Sequence, residues 1–502
     1  MTRDFFRKHE RLTVVALLLI GSVLRLYALG TYPSGLNQDE ASAGYEAWAL
    51  LNYGVDRNGY AWPVLFKSWG SGQNVLHSYL SMPIIRLFGL TAFSLRLVSA
   101  LIGILTLVVF WLMARRIRGR AFGLVALFVL VFNPWHIGIS RWALESNLMP
   151  FFLLCGVYFT SLELEREFML IPAAACFGLS LYAYGTAFFF LPPFLIGAVI
   201  WLYTRKAIRL QSLIPAFAVF VVIALPITIC QAANIIGAGD MTLWGMSLPK
   251  LTETRQHSTS ALGNSSALEN FKTFFGILTT QSDGLPYNAL PRSGLYYIFG
   301  LPFAVIGYVA ALARRRDYRE EVPMLLFFAV PFIAAFFIDP NINRMNMAWL
   351  PIIYFSALGI HIAMEKIGDF GFVPIVAILL SFAVFCVEYH GEYVQHPSEL
   401  FYSGLGEAIE YAQDWDGEVY VTNFVNQPYI FVLFHAKIPP RDYLDTATFY
   451  NPGAAFEHVL SFGRYRFAHI PYTERTLFIQ HVSETGWSES TARFGNYTVI
   501  EE

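Results

Sequence analysis

Apolar runs long enough to cross a bilayer recur through the first 390 or so residues of this chain, and they constrain its fold more than any other feature. A spanning helix needs about 20 mostly apolar residues. Such runs lie at 12–29, 94–114, 121–140, 148–163, 168–184, 187–203, 213–231, 296–313, 322–338, 346–364 and 372–388. Hydrophobic residues make up 56% of the chain and charged residues 14%, against roughly 25% charged in soluble chains. That excess exceeds what one soluble core can bury, so lipid must solvate much of it. The expectation is a polytopic α-helical membrane protein of the plasma membrane with about eleven transmembrane helices. The run after the basic start Met1–Arg11 is long for a signal peptide and no small-residue cleavage pattern follows, which predicts a retained first helix.

Lys and Arg near helix ends set orientation. They cluster in the N-terminal tail (Arg3, Arg7, Lys8, Arg11) and in every second loop: Arg115, Arg116, Arg118 and Arg120; Arg205, Lys206 and Arg209; Arg314, Arg315, Arg316 and Arg319. Alternate crossing then predicts a cytoplasmic N-terminus and an extracytoplasmic C-terminus. The net charge of −2 and the absence of a basic stripe argue against nucleic acid as a partner. Cys155, Cys176, Cys230 and Cys386 all sit in apolar runs, which excludes a disulfide framework in the outer segments.

Three outer segments are too long for simple turns. Segment 30–93 contains two amphipathic stretches, 40–53 and 75–88, expected to lie in the interface plane, with Trp48, Trp62 and Trp69 at that depth. In 40–53, Tyr45, Trp48, Ala49 and Leu51 are expected to face apolar surroundings. Segment 232–295 is polar, with a mobile middle expected at Thr252–Ser266, and its length suits a lid. Segment 390–502 returns to a soluble composition and predicts a small extracytoplasmic α/β domain, with helices at 399–413 and Pro428–Ala436 and strands at Glu418–Asn423 and Tyr497–Glu501. A membrane module, 1–389, would precede it.

Ionisable residues near a bilayer are costly and are functional candidates by default. In Asn37-Gln38-Asp39-Glu40, a carboxylate at the membrane surface can act as general base toward a hydroxyl; equally, Asp39 can cap the helix beginning near Glu40. His136, Arg141 and Glu145 share a short outer turn, where Arg141 and Glu145 are spaced to pair on one helix face. Arg344, in Asp339-Pro-Asn-Ile-Asn-Arg344, suits a lipid phosphate through its planar donor fork, or snorkels to ordinary headgroups. Tyr182 and Tyr184 end a helix, where tyrosines form interfacial belts or grip a substrate. No Ser-His-Asp spacing, His-Glu-x-x-His or cysteine metal motif is present.

These residues, in this order, resemble the GT-C superfamily of membrane glycosyltransferases, specifically the protein O-mannosyltransferase and lipid A aminoarabinose transferase group and its bacterial family 39 members. The resemblance rests on Asp39-Glu40 in the first outer loop and on Leu87-Phe88-Gly89-Leu90-Thr91-Ala92-Phe93-Ser94-Leu95-Arg96-Leu97 leading into the second helix. It rests also on Glu145 in the second outer turn and on Arg344 before Met347-Ala-Trp-Leu-Pro351, and it covers about residues 10–390.

The resemblance implies inverting transfer of a sugar from a polyprenyl-phosphate donor, at the outer face of the membrane, to a lipid, glycan or protein acceptor hydroxyl. Asp39, with Glu40 beside it, would be the general base, and Glu145 would assist from the facing turn. Arg344, with Arg141 or His136, would stabilise the phosphate leaving group, and loop 232–295 would close over the donor. The chain departs from the group at Phe66–Asn74, which lacks the expected Pro pair. Lys67 can stand in for a basic residue there, and Gln73, Asn74 and His77 can hydrogen-bond a sugar instead. Some members use a divalent metal, for which Asp39, His136 and Glu145 could supply ligands. The resemblance and the lack of a retention signal point to a prokaryotic source. A transporter or flippase of lipid-linked saccharides is a competing reading, but the charged groups cluster on one face rather than at the midplane. A non-catalytic scaffold displaying the C-terminal domain is another.

Overall fold

The computed structural model describes residues 10–68, 72–252, 266–392, 400–454, 457–467, 475–485 and 491–501. Trp69 and most of the expected mobile stretch, 253–265, lie outside them. Each of the expected spanning segments holds a helix. The first, α1, is Glu10–Leu26; α4, Ala92–Val131, spans two expected segments and is interrupted at Gly119, whose φ of 84° leaves the helical region. The others are Met149–Leu162, Leu170–Ala183, Ala187–Thr204, Leu210–Ile235, Gly300–Ala313, Val322–Ala334, Trp349–Lys366 and Val373–Val387. By length and composition, Ala92–Val131, Ala187–Thr204, Leu210–Ile235, Asn346–Lys366 and Phe370–Gly391 are long and apolar enough to cross a membrane. Ile196, Ile200, Phe217, Val222, Leu380 and Val384 point outward from these helices. Such large exposed apolar faces are stable only against lipid, so the protein is a polytopic membrane protein.

The arginine-rich loops meet at one end of the bundle. Glu10 pairs with Arg115 and Arg120, Arg116 with Glu165, Arg118 with Glu321, and Arg209 with Glu167.

At the other end, α2 (Gln38–Tyr53) and α3 (Leu76–Phe88) flank a two-residue hairpin ladder of β1 (Leu65–Phe66) and β2 (Gln73–Asn74). α3 leaves Leu80, Leu87 and Phe88 exposed. α2 does not lie in an interface: Glu40 to Ala47 are all buried, because its apolar face meets protein. Loop 232–295 is more structured than expected. It carries a hairpin, Met241–Leu243 with Met246–Leu248, and the helix Ala267–Thr280. Ser247 exchanges backbone hydrogen bonds with Ala61 and Val64, which stitches this loop to the first outer segment.

The C-terminal segment folds into a seven-stranded sheet with helices Leu405–Tyr411, Pro428–Ala436 and Pro440–Thr446. The strand order is Ala492–Phe494, Tyr497–Glu501, Thr476–His481, Glu418–Val421, Tyr465–Arg466, Val459–Phe462, Thr448–Phe449. Glu418–Val421 is parallel to both its neighbours, and the other pairs are antiparallel. A boundary at 389/390 understates how this unit is held. Ala41, Tyr45 and Ala49 of α2 share one hydrophobic core with Ile430, Phe431 and Phe434. A Cβ on Gly44 would lie 2.6 Å from the Phe434 ring, and one on Gly35 only 2.0 Å from the Phe401 carbonyl. Tyr45 donates to the Ile438 carbonyl at 2.6 Å. The segment holding α2 and the C-terminal unit form one packed body.

Candidate active site

The site is built on the start of α2. Asn37, not Asp39, is the cap. Its side chain accepts from the Asp39 amide at 3.0 Å, while Glu40 reaches back to the Asn37 amide, completing a capping box. That motif satisfies two end-of-helix donors and leaves the Asp39 carboxylate out of the capping bonds. Asp39 is half-buried.

Glu40 is occupied. Arg96 of α4 binds it through Nε to Oε1 and Nη2 to Oε2, both at 2.9 Å, and the Ala143 amide donates to Oε1 at 3.0 Å. With the Asn37 amide on Oε2, both oxygens are filled by protein donors. Arg96 also donates to the Pro33 and Gly35 carbonyls. Glu40 therefore has no lone pair left for a substrate. It fixes the approach of α2, α4 and the 140–145 turn, which is a positioning role rather than the catalytic one expected.

Glu145 opens a short 3-10 helix, Glu145–Leu148, and its Oε2 accepts from the Asn74 amide. The Gln73 side chain donates to the Asp39 carbonyl at 3.1 Å and accepts from Ser42, and the Asn74 side chain donates to the Leu181 carbonyl. β2 is thus a brace between Asp39 and Glu145, and both its side chains are buried. The sugar-binding role expected of Gln73 and Asn74 gives way to this bracing. His77 is fully buried on α3 between Ser81 and Ser99, and burial lowers its pKa to about 4 against the opposing pull of Glu40. It is a neutral core histidine. Tyr182 donates to the Ile223 carbonyl, and Tyr184 packs half-buried against the bundle core; neither is presented as a sugar grip.

Arg141 does not pair with Glu145. Its guanidinium donates to the carbonyls of Leu24, Tyr27 and Tyr32, and to Tyr389 Oη. It ties down the chain leaving α1. His136 accepts from Arg25 at 2.6 Å through Nδ1. Both expected phosphate ligands are consumed inside the protein. His136 faces Arg25 rather than joining Asp39 and Glu145 at a metal. Among the described residues no group of three His, Cys, Asp or Glu side chains gathers to hold one.

Arg344 is 25% exposed and pairs through Nη1 with Asp339 at 2.7 Å. Its loop is anchored on both sides. Asn346 donates to Ser146 and Asn147, next to Glu145, and the Ile342 amide donates to Asp283 in the 281–294 segment. Asn343 donates to Asn288.

Three aromatic residues that sequence reasoning passed over complete the surroundings: Trp142, Tyr287 and Tyr402. Trp142 touches Tyr287 at 5.3 Å and Phe401 at 5.8 Å. Tyr287 has its pKa raised by burial, then Asp283, then Asp39. Tyr402 is raised by burial first, with Asp39 adding to it. The Asp39 charge therefore acts on Tyr287 of the 281–294 segment and on Tyr402 of the C-terminal unit. No signal in the sequence ties Tyr287 or Tyr402 to Asp39, because the contacts span hundreds of residues.

A family model described as dolichyl-phosphate-mannose-protein mannosyltransferase matches residues 73–230. Curated proteins give no match by sequence. Among solved structures, ArnT from Cupriavidus metallidurans bound to undecaprenyl phosphate aligns with a TM-score of 0.56 at 13% identity, over 97% of each chain. The Archaeoglobus fulgidus oligosaccharyltransferase in the apo form aligns at 0.52 and 13% identity, over 86% of this chain and 64% of that one, so this chain spans under two thirds of that relative. Archaeal AglB from the same organism, in complex with an inhibitory peptide and a dolichol-phosphate, aligns at 0.50 and 12% identity over the same shares. The chain has the fold of the GT-C superfamily of membrane glycosyltransferases and resembles its mannosyltransferase and aminoarabinose transferase group.

Proposed function

We propose that this protein transfers a sugar, with inversion at the anomeric carbon, from a polyprenyl-phosphate donor to an acceptor hydroxyl at the outer face of the plasma membrane. Eleven crossings, a cytoplasmic N-terminus and an extracytoplasmic 390–502 segment go with that reading, supported by the gathering of arginine loops at the end of the bundle opposite Asp39. One observation carries the chemistry. Asn37 and Glu40 do the capping and Arg96 takes Glu40, while the Asp39 carboxylate takes part in neither, is partly buried, and acts electrostatically on Tyr287 and Tyr402.

In this reading Asp39 withdraws the acceptor proton as the oxygen attacks the anomeric carbon and the bond to phosphate breaks. Glu145 acts on Asp39 through β2, as a positioning residue. Arg344 turns part of its donor fork to the leaving phosphate, whose charge grows in the transition state; the Asp339 contacts take only Nη1. The segment 281–294, bonded to the Arg344 loop through Asp283 and Asn288, closes over the donor and excludes water. The neighbours bound to undecaprenyl phosphate and dolichol-phosphate support a lipid-phosphate donor.

The test is a donor assay on purified protein in nanodiscs, with radiolabelled polyprenyl-phosphate sugars and a crude envelope acceptor fraction. Wild type is expected to consume one donor, and Asp39→Asn to lose about 10²–10⁴-fold of that rate. Equal rates in the two proteins would remove Asp39 as base.

A further inference from the structure

A cavity in the C-terminal unit has a volume of about 490 Å³, within the range of about 300–1,000 Å³ typical of small-molecule sites. Its position follows from the sheet. Glu418–Val421 and Tyr465–Arg466 run parallel side by side. The segment leaving the first, Asn423–Gln427, and Phe467, leaving the second, both line the cavity. Open α/β sheets bind ligands in this crevice, outside the carboxyl ends of parallel strands.

The lining has a definite chemistry. Tyr402, Phe424, Tyr450 and Phe467 supply aromatic surface, and Asn423, Asn426 and Gln427 supply amides. Phe424 and Tyr450 are 57% and 77% exposed. The Phe424 ring is held flat by stacking on His481 at 4.6 Å and 14°. A fixed, solvent-facing aromatic plate offers an apolar face at little entropic cost. Each amide presents a donor and an acceptor, which matches hydroxyl groups that are both. Among the described residues that line the cavity there is no Lys, Arg, Asp or Glu, and His458 is the one imidazole, so they offer no guanidinium or ammonium group to recognise phosphate or carboxylate. A ligand with alternating apolar and hydroxyl surfaces and no charge is a neutral saccharide.

The cavity is also tied to Asp39. Tyr402 forms one wall, accepts from the Asn426 amide at 3.1 Å, and is held at a φ of 47°, a strained conformation for a non-glycine residue. Its neighbour Ser403 bonds Ser34 at 2.6 Å, in the loop leading to Asp39.

We propose that this cavity is the acceptor subsite and takes a neutral glycan, one of whose hydroxyls extends past Tyr402 to Asp39; this rests on the transferase reading above. The glycan oxygen forms the new bond to the anomeric carbon and its proton passes to Asp39. The electron pair of the broken bond leaves with the polyprenyl phosphate.

The test is saturation-transfer NMR on the full chain in nanodiscs. The probes are mannotetraose, maltotetraose and chitotetraose, with a uronic acid oligosaccharide and a Ser/Thr-rich peptide as controls. One neutral tetrasaccharide is expected to bind wild type and Asp39→Asn alike. Its Kd is expected to rise about tenfold in Phe424→Ala and in Tyr450→Ala, two exposed positions whose truncation spares the core. Absence of neutral glycan binding, preference for the acidic sugar or the peptide, or binding that survives both truncations would overturn the proposal. Release of polyprenyl phosphate by wild type and its loss in Asp39→Asn reads the transferase separately. Donor turnover without glycan binding removes the subsite alone, and glycan binding without any donor turnover removes its role as an acceptor site.

Discussion

At the end of the bundle that gathers the arginine loops, one pair, Arg118 with Glu321, is buried, but the others have at least one partner in contact with water. Arg120 is 61% exposed where it reaches Glu10, and Arg209 and Glu167 are both more than half exposed. At the opposite end, Glu40 and Arg96 are each 0% exposed, and Glu46 and Arg57 are buried almost as completely. Exposed pairs are worth little, because water competes for both partners. A buried pair must recover the large cost of leaving water through well-made bonds, and breaking it leaves a stranded charge. The exposed pairs of the first end can vary with small effect, Arg118 and Glu321 apart; the second end is a rigid frame, and Asp39 is mounted in it.

The sharpest way to break that comparison is Asp39→Asn. If the frame and the reacting group are separate, this change removes about 10²–10⁴-fold of the transfer rate and leaves the unfolding midpoint in detergent close to wild type, since Asn37 keeps the cap. A large loss of stability would place Asp39 inside the frame instead.

Glu40→Gln should do the reverse. It keeps the shape but leaves Arg96 buried without its counter-charge, at a cost of about 3–5 kcal/mol, read as a lower denaturant midpoint. Activity should fall with the folded fraction.

How much of this was legible in the sequence differs between the two ends. Apolar runs and alternating basic loops reported the helices, because the bilayer forces local patterns on the chain. The helix Pro428–Ala436 and the strands Glu418–Val421 and Tyr497–Glu501 were likewise readable from local composition. The partners of α2 were not. Tyr45 and Ala49 carry an apolar face, but nothing local says whether lipid or Phe434 covers it. The cap was legible but lies two positions before the residue expected: Asn37-x-x-Glu40 has the spacing of a capping box, which moves the cap from Asp39 to Asn37. Arg141, His136 and His77 illustrate the opposite limit. A polar residue at the membrane edge has the same sequence signature whether it faces a ligand or, as here, fills a buried carbonyl cage, an Arg25 contact or a serine pair.

The frame should also carry a pH signature that the exposed end lacks. Asp56 is buried, with the Glu46 charge beside it; burial first, then Glu46, raises its pKa to about 8, against the backbone donors of Tyr60 and Asn58 and the charge of Arg57. Burial likewise raises Glu46. A carboxyl whose folded pKa lies above its unfolded value of about 3.9 binds its proton more tightly in the folded state. Its stabilisation is complete below pH ~4 and is lost as pH rises through about 8, at no more than about 1.4 kcal/mol per pH unit. Asp56→Asn should flatten that decline in unfolding midpoints measured from pH 5 to 9; an unchanged slope would assign it to other groups.

The smallest effect is expected at the arginine end. Arg120→Ala removes one of two arginines from Glu10 and leaves Arg115 bound at 2.8 Å. Because Arg120 is mostly in water, the loss should be under about 1 kcal/mol. It should shrink further as salt rises from 0.05 to 0.5 M, where the screening length falls to roughly 4 Å. A cost comparable to that of Glu40→Gln, insensitive to salt, would mean that this end is also a desolvated frame. The contrast between the two ends would then be one of charge sign alone.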